Sequence, residues 1–386
     1  MIIFSGFQFL RYLVMAKKRV LLAAGGTGGH LFPAFALTEE LKRRDVEVHI
    51  VTDGRVDEMI GNSPADQMHV VPSATMKGKN PIALLKTALT LGRGVMAARR
   101  LLKQIKPDFV LGFGGYPTFP PLIAAGQLGI KTGLHDQNAV MGRANKMLAN
   151  RVDVIATSFR EVKYLPETCE HKVRLTGNPV RGKVLAVKDV PYPKLDLQLM
   201  AGETSGAGKF RILIFGGSQG ARFFSDFFPT ALAELDEDVR VKLSVVQQCR
   251  VEDLDRVRAL YQYSDIDAKC EAFFDDLPRE MSASHLVISR SGASTVAELA
   301  VCGRPAIMVP LPHALDNDQL LNGKMLEKAG AGWILEQKNI TMTGFHRQLN
   351  EFMVEPSLLQ MAANAAKSVG KANAVVELAD LVIESV

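Results

Sequence analysis

Short apolar runs recur along the chain, each followed by a stretch in which apolar and polar residues alternate at helical spacing. The runs cover 20–24, 46–52, 109–113 and 152–157 in the first half, and 212–215, 242–247, 286–289 and 306–310 in the second. Nearly continuous apolar strands spaced by helices predict parallel sheets with crossover helices, an α/β fold. With 386 residues the chain exceeds one ordinary core, so the pattern predicts two domains. The alternation breaks between 182 and 210, where "DVPYPKLDLQLMAGETSGAGKF" is rich in Pro, Gly and Ser; this is expected to be the interdomain connection or a loop just inside the second domain. Its "GETSGAGKF" is not a P-loop: the spacing is wrong, Phe210 stands where a hydroxyl belongs, and the strand follows instead of preceding.

An internal echo sharpens the two-domain reading. "RVLLAAGGTGGH" (19–30) and "RILIFGGSQGAR" (211–222) each run from a basic residue through a strand and a Gly-Gly loop into a helical stretch. Glycines at such a turn permit positive φ and close approach of a ligand, and the following helix offers unpaired N–H groups to an anion. Both loops could hold phosphate, and the ligands would lie in the cleft between the domains. "GGTGGH" contains no GxGxxG, and His30 sits where the helix begins. A histidine there is suited to accept a proton or touch a substrate group. Capping or packing of the same helix is the alternative.

Composition narrows the field. With 47% hydrophobic and 23% charged residues the chain reads as a globular protein, and its four scattered cysteines form no CxxC pair. A reduced cytoplasmic enzyme without structural zinc is expected. The net charge of +5 divides unequally: residues 1–182 hold 25 Lys+Arg and 14 Asp+Glu (+11), and residues 183–386 hold 21 and 27 (−6). Residues 67–107 hold no carboxylate but carry Lys77, Lys79, Lys86, Arg93, Arg99, Arg100, Lys103 and Lys106, interleaved with Ile82, Leu84, Leu85, Leu89, Leu91 and Met96. This pattern suits either an anionic lipid surface or an ordinary helix with a solvated basic face. The first 16 residues are too short and too interrupted by Arg11 to span a bilayer and show no cleavage site; they are expected to be an extension upstream of Met15.

Six motifs then appear in fixed order: "GGTGGH", "GFGGYPTFPPLIAA" (112–125), "HDQNAVMGRANK" (135–146), "GNPVR" (177–181), "FGGSQGAR" (215–222) and "SRSGASTVAELAVCGRPAIMVPLP" (289–312). Together they resemble the MurG family of peptidoglycan glycosyltransferases, over roughly residues 17–385. The resemblance implies a GT-B architecture, two Rossmann-like doubly wound domains around an interdomain cleft. The expected division is a 1–16 extension, a 17–182 acceptor- and membrane-binding domain, a 183–372 UDP-sugar-binding domain, and a 373–386 helix packing back on the first domain. It further implies inverting transfer of N-acetylglucosamine from UDP-N-acetylglucosamine to the 4-hydroxyl of the muramoyl sugar on undecaprenyl-diphosphate, with a β-1,4 linkage.

Site residues follow from the same resemblance. His30 is the candidate base or acceptor-orienting residue, with Asp136 or a water as competitors. Donor contacts are expected from Thr27, Gly28, Gly29, Asn138, Arg181, Ser218, Gln219, Phe274, Ala293, Ser294, Thr295, Val296, Glu298 and Gln319. Glu298 would accept from the ribose hydroxyls, Phe274 would mark the base pocket unless it is a core residue, and Gln319 would reach the donor sugar. The register around Asp316–Gln319 is shifted by an extra residue. Acceptor contacts are expected from Gly114, Gly115, Tyr116, Asp136 and Asn138; Asp136 replaces the family's usual Glu, which withdraws the carboxylate. Because the acceptor is lipid-anchored, peripheral attachment to the cytoplasmic leaflet follows, with an anionic membrane surface as partner. No obligatory cofactor or metal and no nucleic-acid partner are expected. Two rivals remain: a non-hydrolysing UDP-N-acetylglucosamine 2-epimerase, and a dinucleotide-dependent oxidoreductase, which the missing GxGxxG disfavours.

Overall fold

The computed structural model describes residues 17–25, 28–53, 63–74, 80–194, 208–217, 222–312 and 314–386. Within them lie two sheets in which every strand pair is parallel. The first contains β1 Arg19–Ala23, β2 Glu47–Thr52, β3 Gln67–Val70, β4 Phe109–Gly112, β5 Lys131–Asp136, β6 Val154–Thr157 and β7 Val173–Leu175, in the order β3-β2-β1-β4-β5-β6-β7. The second contains β8 Phe210–Phe215, β9 Leu243–Gln248, β10 Asp267–Glu271, β11 Leu286–Ser289, β12 Ala306–Met308 and β13 Gly332–Ile334, in the order β10-β9-β8-β11-β12-β13. Strand order reverses between β1 and β4 and again between β8 and β11. Each reversal opens a crevice at the strands' carboxyl ends. The two glycine loops leave β1 and β8 at these crevices.

Strand alternation builds two cores on the first sheet. Val20 and Leu22 point to one face, packing with Leu31, Leu37 and Leu41 of helix Gly28–Arg43. Leu21 and Ala23 point to the other, against Ala98 and Leu102 of helix Pro81–Ile105 and Leu122 of helix Phe119–Gln127. Apolar burial on both faces is why these strands read as unbroken hydrophobic runs. On the second sheet, Ile212 and Ile214 pack with Phe224 and Phe228, while Leu213 and Phe215 pack with Val296 and Leu299 of helix Ala293–Cys302.

The chain ends where it began. Helix Ala374–Glu384 places Leu378, Ala379 and Val382 in the same cluster as Val20, Leu22 and Leu31. The crossing requires a glycine: Gly177 has φ +87°, and a Cβ there would lie 2.8 Å from Lys371 Cδ and 3.0 Å from Ala374 Cβ. Val180 and Val184 already belong to the second domain's core, so the passage between cores begins shortly before residue 182. Residues 190–194 dock on that domain. The buried Arg304 guanidinium donates to Val190 O and Pro191 O, and Tyr192 donates its hydroxyl to His285 O at 2.8 Å.

Candidate active site

The loop after β1 and the loop after β4 meet at His30. Its Nδ1 lies 3.0 Å from Gly25 O. A carbonyl can only accept, so Nδ1 carries the proton and the lone pair of the neutral ring resides on Nε2. Gly114 (φ +94°) and Gly115 (φ +75°) fold against that edge of the ring. A Cβ on Gly114 would stand 3.3 Å from His30 Nε2, so a side chain there would crowd the reactive nitrogen. Thr118 pins the turn by donating to Gly114 O at 2.7 Å, and Tyr116 follows in a short, partly buried 3-10 turn.

The end of β5 supplies a buried polar cage. His135 donates from Nε2 to Gly177 O and accepts from Gln137 Nε2, each at 2.9 Å, and burial pulls its pKa down to about 4. Asp136 differs from the expected acceptor contact. It is 1% exposed, and its carboxylate accepts from Asn138 N at 3.2 Å, Gly142 N at 3.0 Å and Asn145 Nδ2 at 3.0 Å. With these bonds it shapes the 138–145 loop and does not reach into the cleft. Burial raises its pKa to about 6, with the Asp318 charge from the other domain adding to the rise. Asn145, which sequence reasoning passed over inside "HDQNAVMGRANK", comes close to the His30 edge. Its Nδ2 would be 3.4 Å from a Cβ on Gly114, and its buried Oδ1 has no hydrogen-bond partner. An asparagine three residues after Gly142, in the first turn of the short helix Arg143–Leu148 that follows the strand, was the available signal.

Across the cleft, helix Ala293–Cys302 starts after Gly292 with no side-chain cap. Its first amides, at Ala293, Ser294 and Thr295, point out of the helix's own ladder. The hydroxyls of Ser291 and Ser294 are buried without a partner. This is the composition of an anion site. Val296 is a correction to the expected donor set: its side chain is 3% exposed in the core and its amide donates to Gly292 O at 3.0 Å. The Phe274 ring packs in the core, 8% exposed among Phe215 and Met281, with Lys269 Nζ 5.3 Å from it, so any contact to a base there falls to the backbone. Gln319 accepts from Leu311 N at 3.0 Å beside Asp318, whose pKa burial raises. Gly28 and Gly29 open helix Gly28–Arg43, whereas Thr27, Ser218 and Gln219 lie outside the described residues.

Two clasps close this cleft: Arg181, beside Val180 of the second domain's core, is held by Glu298 and reaches back to Phe32 of the first domain, and Asn322 reaches the 138–139 loop. Arg181 and Glu298 form a bidentate pair, Nε to Oε1 at 2.8 Å and Nη2 to Oε2 at 2.9 Å, with the guanidinium 5.3 Å from the Phe32 ring. Fork-to-fork geometry makes this a strong, directional contact. Neither residue was expected to meet the other. In the second clasp the fully buried Asn322 accepts from Ala139 N at 2.8 Å and donates to Asn138 Oδ1 at 3.0 Å and Ser291 O at 3.3 Å. One amide thus ties the acceptor-side loop to the donor-side loop.

The glycosyltransferase family 28 N-terminal domain matches residues 20–157, and the family 28 C-terminal domain matches residues 211–381. The UDP-N-acetylglucosamine:N-acetylmuramyl-(pentapeptide) pyrophosphoryl-undecaprenol N-acetylglucosamine transferase of Allorhizobium ampelinum is 48% identical over 371 residues, 95% of each chain. The Brucella abortus protein of the same name is 48% identical over 365 residues, covering 94% of this chain and 93% of its own. Among solved structures, MurG of Acinetobacter baumannii superposes with a TM-score of 0.75 at 28% identity, covering 95% of this chain and 99% of its own. A UDP-GlcNAc 2-epimerase from Neisseria meningitidis shares the fold at TM-score 0.62 and 17% identity, covering 95% and 99%. Two parallel-sheet domains, a histidine at one rim and an uncapped helix start at the other are therefore the GT-B frame of a known group, and the chain belongs to glycosyltransferase family 28, among the MurG transferases.

Proposed function

We propose that this cleft moves N-acetylglucosamine from UDP-N-acetylglucosamine to the 4-hydroxyl of the muramoyl sugar of undecaprenyl-diphosphate-linked lipid I, with inversion, forming lipid II for peptidoglycan synthesis. The observation that carries the reading is the pairing of a tautomer-locked His30 on one rim with an uncapped, hydroxyl-lined helix start on the other. Single displacement needs a base at the attacking hydroxyl and charge neutralisation at the leaving group. His30 Nε2 takes the proton. The amides of Ala293, Ser294 and Thr295, with the Ser294 hydroxyl, hold the departing diphosphate, and Arg181 adds positive charge. Glu298 keeps a second lone pair on each oxygen beyond its bonds to Arg181, which suits the ribose hydroxyls. Asn138 and Gln319 serve the sugars, and Gly114, Gly115 and Tyr116 leave room for the acceptor.

This reading assigns charge neutralisation to the chain itself and makes no metal obligatory; turnover that persists in EDTA is the expected result. It places the enzyme peripherally on the cytoplasmic face of the membrane. In helix Pro81–Ile105, Leu85 (64% exposed), Leu89 (59%) and Met96 (57%) stand beside exposed Lys86, Arg93, Arg99 and Arg100, while Lys77 and Lys79 lie outside the described residues. Among the described residues no helix is long and apolar enough to cross a membrane. The test is transfer of radiolabelled N-acetylglucosamine from its UDP donor to a short-chain lipid I analogue. Labelled product is expected; donor epimerisation without transfer contradicts the assignment.

A further inference from the structure

A groove of about 580 Å³ runs outward from the Asn322 clasp, between the 160–173 segment of the first domain and helix Asp318–Lys328 of the second. It begins at Ala139, the neighbour of Asn138, on the loop that Asp136 organises. One side of the helix faces it, residues 321, 324, 325 and 328, at the spacing of a single helical face. Leu165, Leu321 and Met325 give it an apolar component, and Arg160, Lys163, Lys324 and Lys328 supply cations from both domains. Against these four stand two carboxylates, Glu161 and Glu170. No side chain of these six makes an ion pair or a side-chain hydrogen bond among the described residues; Lys163 instead lies 4.9 Å over the Tyr164 ring, with Lys146 at 5.0 Å. Tyr164 is 45% exposed at φ +66°, a conformation that is unfavourable for an aromatic residue. Elsewhere on this surface charges pair readily, as Arg143 does with Asp316 across the same interface.

We infer that this groove receives the peptide arm of the acceptor, with Lys324, Lys328, Arg160 and Lys163 holding its carboxylates. The inference rests on the glycosyl-transfer reading and extends it from sugar to peptide. The volume is that of a ligand several residues long and far exceeds one ion. Mixed apolar and cationic walls suit an extended peptide with small side chains and a terminal carboxylate, and the groove begins at Ala139, at the start of the acceptor-side loop. Exposed lysines at such a rim act on encounter and affinity, not on the chemical step. These residues are therefore binding residues for a part of the substrate remote from the reacting atoms.

The test compares two short-chain lipid I analogues, one with free peptide carboxylates and one with those carboxylates amidated, on wild type, on Lys324→Glu/Lys328→Glu and on Lys324→Arg/Lys328→Arg. The free-carboxylate acceptor is expected to show a KM about fivefold higher with the Glu variant, with kcat and the donor KM unchanged and the Arg variant near wild type. Amidation is expected to raise the wild-type KM by a similar factor and to abolish the variant's penalty. The acceptor diphosphate is common to both analogues, so an equal KM rise with both assigns the lysines to that group and overturns the peptide assignment. Equal wild-type KM for the two acceptors overturns it as well. No transfer by wild type to either one overturns the glycosyl-transfer reading, and the groove's role falls with it.

Discussion

The two rims of the cleft are built on opposite principles. On the acceptor side the ionisable groups already have protein partners, although Asn145 Oδ1 beside them does not: His30 Nδ1 holds Gly25 O, His135 holds Gly177 O and Gln137, and Asp136 accepts three bonds from its own loop. On the donor side the helix start is uncapped, and the hydroxyls of Ser291 and Ser294 are buried without partners. The first arrangement fixes a reactive nitrogen in one tautomer; the second leaves donors whose desolvation only a ligand can offset. A proton-transfer group must be aimed before substrate arrives, whereas an anion site gains its bonds from the substrate itself.

The largest effect that could break this comparison is at His30. His30→Ala is expected to lower kcat by about 10²–10⁴ with the donor KM little changed, as measured by initial rates on the lipid I analogue. A proportional rise in donor KM would move His30 to the donor rim.

The pH dependence of stability probes the caged side. His135 has a folded pKa of about 4, below its ordinary value, so the unfolded chain binds the extra proton first and stability falls as pH drops from about 6.5 to 4. The full difference is worth about 3 kcal/mol. Asp136 acts in the opposite direction. Its folded pKa of about 6 lies above the unfolded value, so the folded protein binds the extra proton and stability falls as pH rises through that range. The two slopes oppose each other between about 4 and 6. Asp136→Asn removes one of them, and thermal melts from pH 7.5 down to 4.5 are expected to show a steeper acid loss in the variant than in wild type. Parallel curves would contradict the buried, caged assignment.

Smaller effects sharpen the contrast. Arg181→Ala leaves the buried Glu298 carboxylate unpaired and is expected to cost about 2 kcal/mol in a denaturant melt, less than a fully buried pair because Arg181 is partly exposed. Donor KM is expected to rise with it. Smallest is the change at the membrane face: Lys86→Glu/Arg93→Glu removes attraction of about 1 kcal/mol per original cation. Sedimentation with anionic vesicles is expected to fall while turnover of a water-soluble acceptor stays constant; unchanged sedimentation would refute the face.

The central strands were legible because apolar burial on both faces leaves nothing to interrupt the run. The eight runs match strands to within a residue or two at each end. The edge strands β3 "QMHV" and β10 "DAKCE" escaped because polar residues occupy much of an edge, and β7 and β13 because three residues carry no period. β5 "KTGLHD" is different. It is buried along almost its whole length yet ends in His135 and Asp136, so a functional strand end disguised a core strand. At the site, motif order identified the residues at the rims but not which of them face inward. Val296 and Phe274 belong to a core that only the folded packing defines, and the Arg181–Glu298 and Asn322 clasps join residues more than a hundred positions apart. No local pattern encodes such pairs.

The contrast between the rims is tested most directly by titrating UDP into His30→Ala and Ser294→Ala side by side with wild type. The account predicts wild-type affinity for His30→Ala and roughly 10- to 100-fold weaker binding for Ser294→Ala, the value of one hydrogen bond to a charged group. Weakened UDP binding in His30→Ala with none in Ser294→Ala would contradict it.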